Sequence, residues 1–271
     1  MKKLFIFTII TAICISLFPG CSAGSKNPNE VTVGASATPH AEILRFLEED
    51  YEALGYQLNI VTYTDYIMPN SSLANGDLDA NFFQHLPYLE EYNKKSGTNL
   101  ISAGAIHYEP MGIFANGISD LSQLQSGAKI ILPADSSNQA RALLLLASNN
   151  IIVLEEGVEL VNLTVLNVLN SNGFVLYPVE ASSIPAQLKQ SEKGTIAVIN
   201  GNYAIGAGID ISTALATELS NSLGSTTYAN ILAIRKDDEN RQAIIDLVNL
   251  LKSDKVKKYI TDNYGGAVLP V

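Results

Sequence analysis

The sequence predicts an α/β fold in two lobes, from three observations. Short apolar strands and helix-patterned segments alternate along most of the chain, the alternating series runs twice, and 271 residues exceed one average domain without requiring three. Two such lobes facing each other leave a cleft beyond the carboxyl ends of their strands, where open parallel sheets bind ligands.

The first series opens with "VTVG" (31–34) as a strand, followed by helical spacing of Ile43, Leu44 and Leu47 within Pro39 to Leu54, and "YQLNIVTY" (56–63) as a strand. Asp65 to Asn75 is a helix candidate, "LDANF" (78–82) a strand and Leu86 to Lys95 a helix. This order implies parallel strands joined by helical crossovers. The second series follows "YEPMGIFA" (108–115). It comprises "AKIILP" (128–133), an apolar helix from Asn138 to Asn149, "GFVLYPV" (173–179), a short helix from Ile184 to Lys189, and "TIAVIN" (195–200). A last strand, "YANILAIR" (228–235), and helices at Asn240 to Leu251 and Asp254 to Asn263 are too few for a third domain, so the chain is expected to return to the first lobe. Lobe 1 is therefore assigned residues 31–113 plus 230–271 and lobe 2 residues 114–229, with a hinge of two crossing strands near 111–116 and 227–232.

The N-terminus has a separate meaning. "MKK" is a basic start, and Leu4 to Phe18 an apolar run too short for a comfortable membrane span, so residues 1–20 read as an export signal. "PGC" and the polar stretch after it resemble a bacterial lipobox, with Cys21 lipidated and residues 21–30 a flexible linker, although Phe18 and Pro19 depart from the usual pattern. Cys14 lies inside the signal, so the processed chain keeps one cysteine and no internal disulfide.

Composition excludes several functions. A net charge of −10 without a basic cluster opposes nucleic-acid binding. There is no Walker sequence and no G-x-S-x-G elbow, and "GAG" at 206–208 lacks the setting of a dinucleotide loop, so no cofactor is expected. His40, His85 and His107 with Glu109 contain no close ligand pair of the H-E-x-x-H or C-x-x-C kind, and no metal is expected.

Polar and aromatic residues collect at the predicted strand ends. In "LDANFFQH", alternation puts Phe82 on one face and Phe83 on the other, with His85 just past the strand, which fits either a buried joint or the wall of a site. In "PADSSNQARALLLL", Asp135, Ser136 or Ser137 can cap a helix, and Asn138 and Arg141 share one face of it. An arginine so near a helix start implies an anion opposite, either a ligand carboxylate or a partner such as Asp135 or a glutamate. "VINGNYA" ends a strand with Asn200 and Tyr203, and Tyr66 and Tyr108 lie at other strand or loop ends. Singly these tyrosines suit packing; together they suit a pocket for a zwitterion with an apolar tail.

With "VTVGASATPHAEIL", "TDYIMPNSSLANGDLDANFFQHLPYL", "YEPMGIF", "SSNQARALLLL", "INGNYA", "YANILAIR" and "GGAVLPV" assembled, the chain resembles the NLPA-type methionine-binding lipoproteins, substrate-binding subunits of methionine ABC importers. The resemblance implies a type II periplasmic-binding-protein-like fold with two parallel-rich sheets and a two-strand hinge. It implies that Phe83, His85, Tyr66 and Tyr108 surround the methionine side chain and that Arg141 pairs with the ligand carboxylate. Asn138 and Asn200 would orient the amino-acid head, and Tyr203 would join the pocket. It also implies L-methionine as ligand, with D-methionine, another small amino acid or a methionine-containing dipeptide as alternatives. The expected partners are a permease with its ATPase, at a membrane reached through the lipid on the extracytoplasmic face. An enzyme using His85 as base near Glu109 or Asp79 is the rival, opposed by the lack of a nucleophile paired with a base.

Cys21→Ala should abolish lipid labelling and leave the protein unprocessed or unanchored. Unchanged labelling of the variant in cells would remove the lipoprotein reading.

Overall fold

The computed structural model describes residues 27–219 and 226–271; the signal, Cys14, Cys21 and the linker up to residue 26 lie outside the described residues. Valine-rich β1 (Glu30–Ser36) runs parallel to β2 (Gln57–Tyr63) on one side and β3 (Ala80–His85) on the other, with α1 (Glu42–Ala53) and α2 (Met68–Asn75) between them in sequence. After α3 (Leu86–Ser96), β4 (Leu100–Tyr108) joins the same sheet. So do β12 (Asn230–Arg235) and β13 (Leu269–Pro270), giving the order β13-β4-β12-β3-β1-β2 with antiparallel pairing beyond β3.

The second sheet has the order β11-β5-β10-β6-β9. Its parallel centre is β6 (Lys129–Pro133) between β9 (Val175–Val179) and β10 (Ile196–Ile199). Its antiparallel edge is β5 (Gly112–Ala115) with β11 (Ala216–Thr217). Helices α4 (Ser136–Ser148), α5 (Ile184–Gln190) and α6 (Gly201–Gly206) belong to this half. Several elements have no counterpart in the sequence reading, among them β4, whose central Ser-Ala-Gly-Ala lacks a strand-like apolar alternation, and a ribbon of β7 (Val153–Leu154) with β8 (Val168–Asn170). Among the described residues no helix is long and apolar enough to cross a membrane.

Each sheet has its own core. Ile43, Leu44 and Leu47 of α1 form one buried stripe, packed with Val31, Val33, Phe82 and residues of α7 (Gln242–Leu251) and α8 (Asp254–Tyr264). The other core joins Ile130, Leu132, Leu143, Leu146 and Val198. The C-terminal helices thus return to the first sheet, and the Tyr51 hydroxyl donates to the Ala243 carbonyl at 2.8 Å.

The chain crosses between the sheets twice: from Tyr108 to Gly112, and between Thr217 and Asn230. Residues 112–115 and 230–235 are each a strand of one sheet, so the crossings fall just before them rather than within them. The two crossings are bonded to each other. The Glu218 N–H donates to the Met111 carbonyl at 3.0 Å, and the Met111 N–H donates to Glu218 Oε2 at 2.8 Å.

Strand β3 carries a bulge that shapes the site. Against β12, Leu232 faces Phe82 and Ile231 faces Gln84, so Phe83 is the extra residue. An extra residue shifts the side-chain alternation by one, which is why Asn81 and Gln84, three apart, meet on the same side: the Gln84 amide donates to Asn81 Oδ1 at 2.9 Å. Both also bond Asn70 of α2, through Asn81 to Asn70 Oδ1 at 2.8 Å and Asn70 to Gln84 Oε1 at 2.8 Å. This buried amide cluster ties α2 to the strand end and so holds the preceding Tyr66 loop in place.

Asp79, one of the two carboxylates that the rival enzyme reading set near His85, is committed to structure. Its carboxylate accepts from the Thr32 N–H and from Arg241 Nη1, both at 2.9 Å, with Arg235 Nη2 at 3.5 Å, and the residue is buried. Asp79→Ala should cost roughly 2–4 kcal/mol, because the Arg241 guanidinium and the Thr32 N–H lose their buried acceptor, while Arg235 keeps Asp238 at 2.6 Å. Urea unfolding checks this, and an unchanged midpoint would show that solvent compensates the loss.

Candidate ligand-binding site

The carboxyl ends of β3, β6 and β10 converge between the sheets, where Tyr66, Phe83, Gln84, His85, Tyr88, Glu109, Asn138, Arg141, Asn200, Asn202 and Asn230 wall a cavity. Its volume is about 20 Å³, room for one water, so an amino acid enters only if the layers part. A larger cleft of about 1070 Å³ lies beside it, between Thr38 and Tyr63 of one half and Phe114 and Tyr203 of the other, and Asn202 lines both.

One wall is aromatic. The rings of Tyr66, Phe83 and Tyr88 form a triangle with centroids 5.7, 5.9 and 5.8 Å apart, and Tyr203 stands 4.7 Å from Tyr66. Burial pushes the Tyr66 phenol well above its ordinary value, keeping it a donor, and it bonds Asn202 Oδ1 across the cleft at 2.5 Å. The Tyr88 hydroxyl donates to the Tyr66 carbonyl at 3.0 Å.

The other wall is polar. His85 caps α3, with Nδ1 accepting from the Tyr88 N–H at 3.2 Å, which leaves Nε2–H to donate to Asn138 Oδ1 at 3.2 Å. Burial, and then the nearby Arg141 charge, hold His85 neutral, its pKa lowered to about 3. Asn138 Oδ1 also accepts from the Asn200 amide at 2.7 Å, and the Asn138 amide donates to Asp135 Oδ1 at 2.9 Å. Two buried polar atoms of this wall have no hydrogen-bond partner among the described residues: Asn200 Oδ1, an acceptor, and Asn202 Nδ2, a donor.

Of the residues expected from sequence, Tyr66, Phe83, His85, Asn138, Arg141 and Asn200 line the cavity. Tyr108 does not: it is fully buried behind the site, its hydroxyl donating to Glu218 Oε2 at 2.8 Å. Tyr203 faces the larger cleft. Arg141 also differs from expectation. Asp135 is the N-cap of α4, so Arg141 sits in the second turn, and its fork is already engaged. Its Nε and Nη2 donate to Glu218 Oε1 and Oε2 at 2.7 and 2.6 Å, and Nη2 also donates to the Glu109 carbonyl at 2.7 Å. A guanidinium this buried needs a resident counter-ion; burial works against both charges, but their attraction raises the Arg141 pKa and lowers that of Glu218. The anion implied by the sequence is thus Glu218, with the guanidinium 4.8 Å over the Tyr228 ring.

Sequence reasoning missed Tyr88, Asn202 and Glu218. Tyr88 had a signal, since it follows His85 by three on a helix, and Asn202 stands beside two chosen residues. Glu218 had none, being brought to Arg141 from 77 residues away.

Glu109 of the cavity wall, with His40 and His107 outside that lining, forms a trio whose donor atoms, one from each, lie within 4.8 Å of one another. His107 Nε2 donates to Glu109 Oε1 at 2.7 Å, and His40 Nε2 lies 3.1 Å from Asn230 Oδ1 and 3.5 Å from Glu109 Oε1. Among the described residues His107 Nδ1 has no acceptor of the kind that ordinarily orients a metal-bound imidazole, and both Nε2 atoms are already turned to protein oxygens, so the trio fits a hydrogen-bonded brace for Glu109 better than a metal centre. Gly201 permits it: a Cβ there would lie 2.7 Å from Glu109 Cβ.

The comparisons with known proteins come to one result. A family model described as "NlpA lipoprotein" matches residues 31–271. The methionine-binding lipoprotein MetQ of Bacillus subtilis is 37% identical, over 100% of this chain and 99% of the relative. Among solved structures, a nutrient-binding protein from Burkholderia cenocepacia bound to methionine is 33% identical with a TM-score of 0.83, covering 89% of this chain and 99% of that one. A periplasmic substrate-binding protein of an ABC transporter from Coxiella burnetii is 36% identical with a TM-score of 0.81, covering 89% and 100%.

The three buried imidazoles set an acid limit. Burial lowers His40 to about 4 and His85 and His107 to about 3, whereas an unfolded histidine titrates near 6.5. Below about pH 6.5 the unfolded chain therefore binds protons that the folded chain refuses, and stability present above that pH is lost as pH falls toward 3–4. Glu109, raised by burial, acts the other way in the carboxylate range and offsets part of the loss. The thermal midpoint should stay level from pH 8 to 7 and drop steadily from 6.5 to 4. A level profile down to pH 4 would contradict the buried neutral imidazoles.

Proposed function

The chain belongs to the NlpA lipoprotein family, and on that footing we propose that it is an extracytoplasmic receptor that closes on methionine and hands it to an ABC importer. It is a binding protein and not an enzyme. The observation that carries the ligand assignment is the pair of unpartnered amide atoms, Asn200 Oδ1 and Asn202 Nδ2, in an aromatic-walled cavity. An unmade hydrogen bond in a buried site costs roughly 1–3 kcal/mol, and an amino-acid head group supplies both missing halves: an ammonium donor for Asn200 and a carboxylate acceptor for Asn202. Arg141 adds positive charge on the carboxylate side while Glu218 occupies its fork.

The side chain would lie against Phe83, Tyr66 and Tyr88. A thioether gains about 0.3–1.5 kcal/mol per aromatic contact, which favours methionine over an aliphatic residue of similar length. L-methionine is the ligand we assign; D-methionine, or a methionine-containing dipeptide extending past Asn202 into the larger cleft, is the second reading. A lipid on Cys21 would hold the receptor at the membrane beside its permease and ATPase, with several acyl chains giving the firm anchoring that one does not.

Calorimetry with methionine, valine and alanine tests the assignment. Methionine should bind most tightly, and Asn202→Ala and Phe83→Ala should each weaken it about tenfold, the scale of one lost buried contact, while far-ultraviolet circular dichroism shows the variants still folded. Equal affinity for the three amino acids would rule out a thioether-shaped pocket.

A further inference from the structure

Several side-chain hydrogen bonds cross between the halves near the cavity. Tyr66 to Asn202, His85 to Asn138 and Arg141 to the Glu109 carbonyl belong to the ligand site. Another lies outside it. Glu91, on α3 of the first half, accepts from the Ser137 N–H of α4 in the second half, with Oε2 3.1 Å from that nitrogen.

The first turn of a helix presents N–H groups that no residue of the helix can accept, and its dipole favours a negative charge there. In α4 the local cap serves one of them: Asp135 Oδ1 accepts from the Asn138 N–H at 3.0 Å. The Ser137 N–H is left over, and its acceptor comes from across the cleft. Glu91 has a complete surface alternative, since Lys95 one turn along α3 bonds its Oε1. Its second oxygen is nevertheless turned to the opposite half, where Lys95 also comes within 3.4 Å of Ser136 Oγ. Separating the halves would hand the Ser137 N–H to water and leave Glu91 with Lys95 alone. An interaction made in one conformation and absent from the other biases the equilibrium between them.

We propose that Glu91 is a closure latch: a residue outside the ligand cavity that holds the closed form by capping, from one lobe, the first turn of a helix in the other. It is a positioning residue, and the proposal rests on the receptor reading above. Because the contact forms after the ligand has entered and the lobes have met, its loss is felt in dissociation rather than association. Glu91 keeps a fifth of its side-chain surface exposed, so salt screens the latch in part.

The test follows methionine binding by stopped-flow tyrosine fluorescence in the wild type, Glu91→Ala, Glu91→Gln and the neighbouring charge control Glu90→Gln. In Glu91→Ala the dissociation rate should rise about threefold to tenfold, with the association rate and the ligand-free melting temperature unchanged. Glu91→Gln should fall between, Glu90→Gln should match the wild type, and the gap between wild type and Glu91→Ala should narrow at high salt. An unchanged dissociation rate, or an equal loss in association rate and ligand-free stability, overturns the latch. If the wild type does not bind methionine, the receptor reading fails. The latch, which rests on that reading, then falls with it.

Discussion

The molecule is organised around one buried ion pair. Arg141 and Glu218 meet through two parallel contacts of 2.7 and 2.6 Å, and Glu218 also accepts from the Met111 N–H and the Tyr108 hydroxyl. Met111 lies on the outward crossing between the sheets and Glu218 on the return, so one carboxylate joins both crossings to the helix that borders the ligand cavity. A buried pair adds little net stability compared with apolar packing, but removing one member leaves a naked charge. Its value here is geometric: it fixes where the two sheets hang relative to each other, and the cavity inherits that placement.

Around this pair the site is built from neutral groups kept neutral by burial. His85 offers Nε2–H because its Nδ1 is spent on the α3 cap, and Asn138 is saturated by His85, Asn200 and Asp135. Asn200, which donates to Asn138, and Asn202, which accepts from Tyr66, are each left with an unused atom. The polar network thus passes its deficit toward the cavity, where a zwitterion can meet it, and the aromatic triangle shields the contact from water.

Much of this was legible in the chain, and the parts that were not share a cause. Strand and helix alternation marked β1, β2, β3, β6, β9, β10 and β12, because periodicity is a local property. Strand β4 escaped because its middle, Ser102 to Ala105, is small and half-buried and pairs with β12, a strand from the far end of the chain. The site residues that local context marks, Phe83, His85, Asn138 and Asn200, do line the cavity. Tyr108 and Tyr203 carried the same chemistry but stand behind it and beside it, a difference made by tertiary packing alone. Arg141 does face an anion, but not because of a place in the first helical turn, which it does not hold; Glu218 is brought to it from 77 residues away by the folded topology.

The bulge at Phe83 has a wider meaning. Its one extra residue sets the reading frame of the strand end: upstream of it the strand obeys one parity, downstream the opposite, and the core-facing Phe82 and the cleft-facing histidine belong to different frames. Removing a single residue there would leave composition and hydropathy almost untouched, yet would turn Gln84 and His85 to each other's sides and scramble the amide cluster and the cavity wall together. The receptor's recognition chemistry is therefore encoded partly as spacing, and a chain can keep every side chain of this site and still lose the site by a count of one.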